Sequence, residues 1–195
     1  FVPQFGAEGV WVSVFTAISA FCNAGFDLFG RFGAYSSLVP YVNNYYVQAV
    51  VMFMIMAGGL GFMVWVELAE YRKKRRLSLH AKVVLQFSVI FWVGGAVLLA
   101  LLEWSNPRTM GGLSVPGKIM AALFQSVSTR TAGMNTIDLA ACSPISKLLM
   151  SVLQFIGAAP GSTGGGVKVT TFAVLILTIR SVAQGRDDCV IGGHH

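Results

Sequence analysis

The sequence predicts an all-α membrane protein in which full transmembrane helices alternate with re-entrant half-helices, and in which one transmembrane helix is broken. Three observations predict this class. Of 195 residues, 55% are hydrophobic and only 11% are charged, whereas soluble domains carry about 25% charged residues. Long uncharged segments reach the length of a bilayer span, and a short Ala-Gly string occurs twice. A soluble enzyme and a disordered chain are both disfavoured by this composition.

Two segments are long enough to cross a bilayer. A hydrocarbon core of about 30 Å needs about 20 apolar residues in a helix. Residues 46–68 carry no charge before Glu67, and residues 83–102 carry none. We expect both segments to span the membrane as helices. Their internal glycines would allow close backbone approach in lipid, and these are Gly58, Gly59, Gly61, Gly94 and Gly95.

Three further apolar stretches are expected to be irregular. Residues 10–21 and 118–129 are about half a span long and run directly into Ala-Gly strings, which is typical of re-entrant helices. Residues 145–179 are too long for one span and contain a glycine-rich break at residues 157–166. Because lipid cannot satisfy the N–H and C=O groups of non-helical backbone, we expect this break to line a cavity.

Charge placement orients the chain. A short connection between the two clear spans holds six of the fourteen basic residues, and the positive-inside rule places it in the cytoplasm. We call these six residues the basic collar: Arg72, Lys73, Lys74, Arg75, Arg76 and Lys82. A nucleic-acid-binding patch is the competing interpretation. Because transmembrane spans flank the run, we favour a role in membrane topology and expect no nucleic-acid partner. Glu67 and Glu70 are expected to pair with this collar.

An internal repeat links the two half-helices. One string, Asn23, Ala24, Gly25 and Phe26, is matched 108 positions later by Thr131, Ala132, Gly133 and Met134. We call them the NAGF string and the TAGM string. Glycine permits the positive φ values that let successive carbonyls converge, and rings of carbonyl oxygens can replace the hydration shell of a potassium ion. Tight turns in re-entrant hairpins are the alternative explanation.

Five motifs together resemble one family. They are SAFCNAGFDLFG at 19–30, GGLGF at 58–62, YRKKRRLSLHAKVVL at 71–85, STRTAGMNTIDLA at 128–140 and PGSTGGGVKVTT at 160–171. In this order they resemble the potassium-translocating membrane subunit of the Trk/Ktr/HKT superfamily. The resemblance covers almost the whole chain and ends after about Ser181.

The resemblance implies a fragment of a larger pore. That family has four helix–pore loop–helix units in one polypeptide around a single pore. Residues 1–70 would be the second pore loop and its following helix, 71–82 the cytoplasmic connection, 83–182 the complete third unit, and 183–195 a tail. The NAGF and TAGM strings would be two of the four filter strands, and the parent chain would supply the remaining pore units. Potassium would be the substrate, bound by filter residues only, and no cofactor is implied.

The resemblance also implies an intramembrane gate in the glycine-rich break. The gate would comprise Gly157, Pro160, Gly161, Ser162, Thr163, Gly164, Gly165, Gly166 and Lys168. Lys168 would lie near the ion path, unless its side chain extends to the inner membrane surface. In the third filter the family has TAGF where this chain has Met134, which leaves open how the side chain packs behind the strand.

Two acidic residues follow the strings. Asp27 and Asp138 could concentrate cations at an outer mouth, as acidic rings do. Equally, they could cap local turns or pair nearby, including with Arg130, and both interpretations stay open.

Other functions are weighed against potassium uptake. The segment at 161–168 resembles a phosphate-binding loop, but Val167 stands where a Walker motif requires glycine. The three cysteines, Cys22, Cys142 and Cys189, form no spacing typical of a metal site or disulfide framework, and no catalytic constellation is present. We therefore predict no enzyme. A non-conducting membrane scaffold, and a sodium-permeable or cation-coupled transporter of the same superfamily, remain as alternatives.

Partners and location follow from the same resemblance. Glycine in both strings favours potassium over sodium. The family implies a homodimer in membrane lipid, gated by a cytosolic nucleotide-binding regulatory subunit for which the basic collar is a plausible docking surface. The expected location is the cell membrane, as a multi-pass protein of the bacterial inner membrane.

Overall fold

A computed structural model describes residues 1–32 and 36–184 of the chain. This part contains eight α-helices, two short 3-10 turns and no β-strand, which confirms the all-α class. The helices are α1 Val2–Phe5, α2 Ala7–Phe21, α3 Tyr45–Gly59, α4 Phe62–Lys74, α5 Leu79–Glu103, α6 Val115–Thr129, α7 Pro144–Phe155 and α8 Val169–Ala183. The 3-10 turns are Phe29–Phe32 and Val39–Tyr41. Most of the predicted tail, from residue 185 onward, lies outside the described residues.

The span expected at residues 83–102 is confirmed as α5, a single helix of 25 residues. It begins after Ser78, whose hydroxyl accepts a hydrogen bond from the Ala81 amide at 3.1 Å. Within the described part of the chain, α5 is the one helix long and apolar enough to cross a membrane by itself.

The prediction of one continuous helix over residues 46–68 is wrong. This segment is divided into α3 and α4, which meet at an angle of 98°. The change of direction occurs at Leu60 and Gly61, where Gly61 has a φ of +82° that glycine adopts without steric cost. A side chain is also excluded there, because a Cβ on Gly61 would stand 2.5 Å from the Pro160 carbonyl oxygen.

The bend is stable because the carbonyls that α3 leaves unpaired are all hydrogen bonded. The last four carbonyls of a helix have no partner within it. Here the Leu60 amide donates to Met56, the Trp65 indole to Ala57 at 2.8 Å, the Thr163 amide to Gly58 at 3.3 Å, and the Ala159 amide to Gly59 at 3.0 Å. Two of these four donors belong to the glycine-rich loop, so the bend and the loop depend on each other.

Close packing at the membrane glycines is confirmed at three positions. A Cβ on Gly58 would stand 1.8 Å from the Phe21 carbonyl oxygen, and one on Gly95 would stand 2.4 Å from Ser126 Oγ. Gly61 is the third, as described above. At Gly59 a Cβ would meet only ordinary contacts, and at Gly94 it would meet open space. Gly59 nevertheless makes a close backbone contact, since its carbonyl oxygen accepts from the Ala159 amide at 3.0 Å, and close approach at Gly94 stays a prediction.

Both half-helices and the broken third span are confirmed. Residues 10–21 lie in α2 and residues 118–129 in α6, while α7 and α8 form the two halves of the broken span. The main core gathers buried apolar side chains from α2, α3, α5 and α6. The end of α6 is its most enclosed part, with residues 124–128 all buried. The string that follows α6 therefore starts from a rigid support.

One carboxylate missed by the sequence reasoning organises the far end of α5. Glu103 is fully buried, although its sequence context shows no partner. Its two oxygens accept hydrogen bonds from Ser146 Oγ at 2.5 Å, the Ser143 amide at 2.9 Å, Thr109 Oγ1 at 2.7 Å and Asn106 Nδ2 at 2.7 Å. Because Ser143 is the N-cap of α7, the carboxylate stabilises the positive end of that helix and joins it to α5.

The basic collar begins in the last turn of α4. Glu70 pairs with it as expected, since Lys74 Nζ lies 2.5 Å from Glu70 Oε2. Glu67 instead accepts hydrogen bonds from the amide and hydroxyl of Ser78. This carboxylate therefore closes the short connection between α4 and α5.

The predicted topology can be tested by thiol labelling of the full-length protein. We expect Lys74→Cys to react with an impermeant reagent only from the cytoplasmic side, and Ser36→Cys only from outside. Cys22 is exposed and should first be replaced by serine, together with Cys189. Burial raises the pKa of the Cys142 thiol to about 11, so this thiol is a poor nucleophile at neutral pH. Labelling with the opposite sidedness would invert the topology.

Candidate ion pathway

The two Ala-Gly strings repeat in backbone conformation as well as in sequence. Each has positive φ at its first and third residues, with values of 50° at Asn23, 74° at Gly25, 85° at Thr131 and 79° at Gly133. Positive φ is uncommon for residues other than glycine, and is a marked outlier for a β-branched residue such as Thr131. The structure therefore holds both strings in one unusual geometry.

A serine near the end of each half-helix supports the string that follows. Ser19 Oγ donates to the Phe26 carbonyl oxygen at 2.7 Å, and Ser128 Oγ donates to the Met134 carbonyl oxygen. In sequence these serines match at a spacing of 109 rather than 108. The backbone explains the slip, because the Ala24 amide bonds the Ser19 carbonyl five residues back, whereas Ala132 bonds Ser128 four back.

The two strings lie against each other at their glycines. A Cβ on Gly25 would stand 2.7 Å from the Ala132 carbonyl oxygen and 3.4 Å from the Gly133 Cα. A Cβ on Gly133 would meet Gly25 Cα at 3.5 Å. The fold thus brings together the two strings that the sequence repeat singled out.

The fourth residues of the strings differ in their surroundings. Met134 is 2% exposed and belongs to the main core, whereas Phe26 is 69% exposed. Methionine therefore fills the space behind the TAGM string, which resolves the packing question raised by its departure from the family pattern. The side chain is flexible enough to fill an irregular gap.

The glycine-rich loop closes on itself at its base. The Gly157 amide donates to the Val167 carbonyl at 2.9 Å, and the Ala158 amide donates to Gly165 at 3.2 Å. A Cβ on Gly157 would stand 1.7 Å from the Gly165 carbonyl oxygen, so only glycine fits there. The non-helical segment runs from 156 to 168, slightly beyond the predicted break at 157–166.

The tip of this loop reaches both strings. Thr163 Oγ1 accepts a hydrogen bond from Asn23 Nδ2 at 2.8 Å and donates to the Phe21 carbonyl oxygen at 2.8 Å. A Cβ on Gly164 would stand 2.7 Å from Thr131 Oγ1. The predicted gate residues and the predicted filter residues therefore form one contiguous site.

Two basic side chains lie beside the loop. Lys168 is the N-cap residue of α8, and its Nζ donates to the Gly164 carbonyl oxygen at 2.7 Å. It therefore bonds the loop instead of extending to the inner surface. Arg130 is 5% exposed, and its Nη2 donates to the Gly157 carbonyl oxygen at 2.6 Å. Its guanidinium also lies 5.4 Å from the ring centre of Phe91.

The two aspartates form matching local caps. Asp27 Oδ1 accepts from the Phe29 amide at 2.9 Å, and Asp138 Oδ1 accepts from the Ala140 amide at 2.9 Å. The structure thus shows the local capping that was one of the two alternatives. Arg130 is directed toward the glycine-rich loop, so its pairing with Asp138 is wrong. A role of both carboxylates in concentrating cations stays a prediction.

The described residues offer no set of side chains that could bind a metal cofactor. Across residues 1–32 and 36–184, no group of three or more His, Cys, Asp or Glu side chains could hold a metal ion. The polar groups of the site are backbone carbonyls, hydroxyls, a side-chain amide and the basic side chains of Arg130 and Lys168. Such groups can bind or exclude a passing ion.

Two pore-loop-like strings lie beside a broken apolar helix, and comparison with known families assigns this arrangement to a family of cation transport proteins. The chain belongs to the TrkH family, described as cation transport protein, whose model matches residues 2–190. This membership confirms the predicted superfamily. It also places the chain among membrane transport proteins and not among enzymes.

Individual relatives support the assignment. The chain is 38% identical over 187 residues to a potassium/sodium uptake protein, NtpJ, of Enterococcus hirae, covering 95% of this chain and 40% of that protein. It is 36% identical over 191 residues to the Ktr system potassium uptake protein B of Bacillus subtilis, covering 97% and 42%. The crystal structure of the potassium transporter TrkH from Vibrio parahaemolyticus has a similar fold, with a TM-score of 0.69 at 22% identity, over 91% of this chain and 37% of that one. The chain thus spans about two fifths of each relative's length.

Proposed function

We propose that this chain forms part of the conduction pathway of a potassium uptake protein in the bacterial cell membrane. The observation that carries the proposal is the pair of strings with positive φ at matched positions, facing each other at Gly25 and Gly133. Alternation of left- and right-handed residues turns successive carbonyl oxygens toward one side of a strand. Oxygens arranged in this way can replace the water around a potassium ion.

The support behind each string suits this role. A filter must keep its oxygens at a set distance from the ion, and therefore needs rigid anchoring. Ser19 and Ser128 bond the carbonyl of the fourth string residue to the end of the preceding half-helix. In the TAGM string, Ala132 and Met134 are also packed in the core.

The glycine-rich loop is the proposed gate. Its base is bonded internally and to Arg130, while its tip is held by a small number of hydrogen bonds to α2 and to the α3–α4 bend. Breaking these few bonds would move the tip without unfolding the base. A segment of this kind can exchange between two arrangements that differ by a few kcal/mol.

The proposed pore needs more chain than the described residues provide. An open cleft of about 520 Å³ lies beside the TAGM string and is lined by residues that include Gln125, Thr131 and Lys147. Gln125 Oε1 and Thr131 Oγ1 are buried without a hydrogen-bond partner among the described residues. We place the remaining pore units of the parent chain against this face. The division at residues 70, 82 and 182 stays part of this proposal.

Membership of the same family also suggests partners for this protein. We propose a homodimer in membrane lipid, with a cytosolic nucleotide-binding regulatory subunit at the basic collar. The support is the family membership and the exposed basic residues that follow Glu70. No nucleic acid or resident cofactor is proposed.

Sodium permeation is the second candidate function. It is favoured by the name of the Enterococcus relative, a potassium/sodium uptake protein. Glycine at position 25 and at position 133 favours potassium within the superfamily. Coupling of uptake to a second cation belongs to this candidate as well.

The function can be tested in a bacterial strain that lacks its own potassium uptake systems. The full-length protein is expected to restore growth at low potassium and to accumulate rubidium as a potassium tracer. Uptake of sodium at an equal rate would favour the second candidate. A correctly inserted protein that transports neither ion would support the scaffold alternative and contradict the proposal.

The anchoring serines provide a further prediction. Ser19→Ala and Ser128→Ala should each lower the ratio of potassium to sodium uptake about two- to tenfold, since each removes one hydrogen bond that is worth roughly 0.5–1.5 kcal/mol. Initial uptake of both ions per inserted molecule is the measurement. Ser13→Ala is the matched control on α2, because Ser13 Oγ bonds the preceding turn, at Gly9. If Ser19→Ala and Ser128→Ala keep the same potassium-to-sodium uptake ratio as Ser13→Ala, the anchoring role is contradicted.

A further inference from the structure

Thr163 lies in the glycine-rich loop, yet its hydroxyl is hydrogen bonded entirely outside that loop. Its Oγ1 donates to the carbonyl oxygen of Phe21, the last residue of α2, and accepts from Asn23 Nδ2. Asn23 stands 140 residues earlier in the chain. The adjacent hydroxyl of Ser162 behaves differently, because it donates to Ala159 within the loop at 2.5 Å.

The contact holds the first residue of the NAGF string. Asn23 has a φ of 50°, a conformation that asparagine tolerates but does not prefer. Its Oδ1 is buried without a hydrogen-bond partner among the described residues. The bond from Nδ2 to Thr163 therefore determines where the Asn23 side chain lies.

The surrounding backbone is shaped to accommodate this contact. Gly58 lies beneath it, and a Cβ there would stand 1.8 Å from the Phe21 carbonyl oxygen and 2.8 Å from Thr163 Oγ1. The Gly58 carbonyl oxygen also accepts from the Thr163 amide at 3.3 Å. Thr163 is thus held by α2, by the NAGF string and by the end of α3.

Among the residues that the structure describes, the TAGM string has no equivalent bond. Thr131 occupies the position matching Asn23, and its Oγ1 faces Gly164 without a hydrogen-bond partner in the described part of the chain. Arg130, just before it, bonds Gly157 at the base of the loop. Movement of the loop tip would therefore act first on the NAGF string.

We propose that Thr163 is a positioning residue for the NAGF string, through which displacement of the glycine-rich loop changes ion discrimination as well as flux. This inference rests on the proposed function, because it treats the NAGF string as part of the filter. With the tip in place, both bonds of the Thr163 hydroxyl restrain the end of α2 and the first string residue. With the tip displaced, the string loses this restraint. Gating and selectivity are then linked.

The test uses the full-length protein and four variants, of which Thr163→Ala is a second truncation of the same side chain. Thr163→Val keeps the shape of the side chain and removes both hydrogen bonds, whereas Thr163→Ser keeps the hydroxyl. Ser13→Ala is the matched control, because it removes a hydroxyl on α2 that bonds Gly9 and lies outside the loop and the NAGF string. Initial uptake of rubidium and of sodium is measured per inserted molecule, without stimulation by the regulatory subunit.

Thr163→Val is expected to raise basal uptake and to lower the potassium-to-sodium ratio, each by roughly five- to a hundredfold, the range that corresponds to loss of two net hydrogen bonds. Thr163→Ser and Ser13→Ala should keep the wild-type ratio. A Thr163→Val variant with a wild-type ratio overturns the inference, whether or not its flux rises.

Two other outcomes are decisive. If Thr163→Val and Thr163→Ala both fail to insert while Ser13→Ala inserts normally, the residue is only structural and the inference is overturned. If the wild-type protein transports neither ion, the proposed function fails, and this inference fails with it. A wild type that transports, beside variants with an unchanged ratio, contradicts only the inference on Thr163.

Discussion

Gly25→Ser in the full-length protein is expected to lower the ratio of potassium to sodium uptake by at least about tenfold, since a left-handed non-glycine residue costs roughly 1–2 kcal/mol before any steric clash. Gly25 has a φ of +74°, and a Cβ there would stand 2.7 Å from the Ala132 carbonyl oxygen. Backbone cannot yield to such a contact without moving the TAGM string. The substitution therefore disturbs both strings together.

The corresponding substitution in the TAGM string, Gly133→Ser, should have a smaller effect on the uptake ratio. Gly133 has a φ of +79°, but its nearest Cβ contact would be Gly25 Cα at 3.5 Å, an ordinary distance. Gly133→Ser should therefore lower the uptake ratio less than Gly25→Ser. Gly112→Ser is the control, because a Cβ there meets nothing within 4 Å. Wild-type ratios in well-inserted Gly25 and Gly133 variants would remove both residues from the filter.

Deletion of Gly164 and Gly165 is expected to raise basal potassium uptake several-fold and to weaken control by a regulatory subunit. The deletion shortens the arm between Thr163 and the loop base, where Gly165 accepts a hydrogen bond from the Ala158 amide. The tip then cannot reach α2 while the base stays closed. If the loop obstructs the pore, its withdrawal admits ions.

Uptake per inserted molecule separates gating from packing. If the glycines only permit close packing, the shortened protein should insert poorly and conduct less. Gly165→Ala is the control that keeps the loop length, because a Cβ there meets open space and the φ of this residue is not positive. A shortened variant with reduced or unchanged flux per molecule would show that the loop is not a gate.

Features with a local cause could be predicted from the sequence. The absence of charge across residues 83–102 predicts α5, and half-span apolar runs predict α2 and α6, because span length depends on hydropathy alone. The repeat identified both strings, since glycine at positions 25 and 133 reflects a backbone requirement that is visible in the sequence.

Features that depend on distant partners could not be predicted. Hydropathy cannot detect the bend after α3, because its carbonyls are satisfied by loop residues far along the chain. Pairing of Arg130 with the nearby Asp138 is one of the alternatives that the sequence leaves open, whereas Arg130 bonds a backbone carbonyl at Gly157 that carries no sequence signal. Glu103 likewise depends on hydroxyls that come together only in the folded structure.

The bend between α3 and α4 has a consequence for the order of assembly during biosynthesis. When α3 first enters the bilayer, the Gly58 and Gly59 carbonyls lack the amides of Thr163 and Ala159 that bond them in the finished structure, because that part of the chain has not yet been translated. Unsatisfied carbonyls are costly in hydrocarbon, so the nascent segment must keep water at this depth or insert first as a straight helix. The hydrogen bonds that stabilise the sharp turn are therefore completed late, after residues 159–163 have been translated and packed against it.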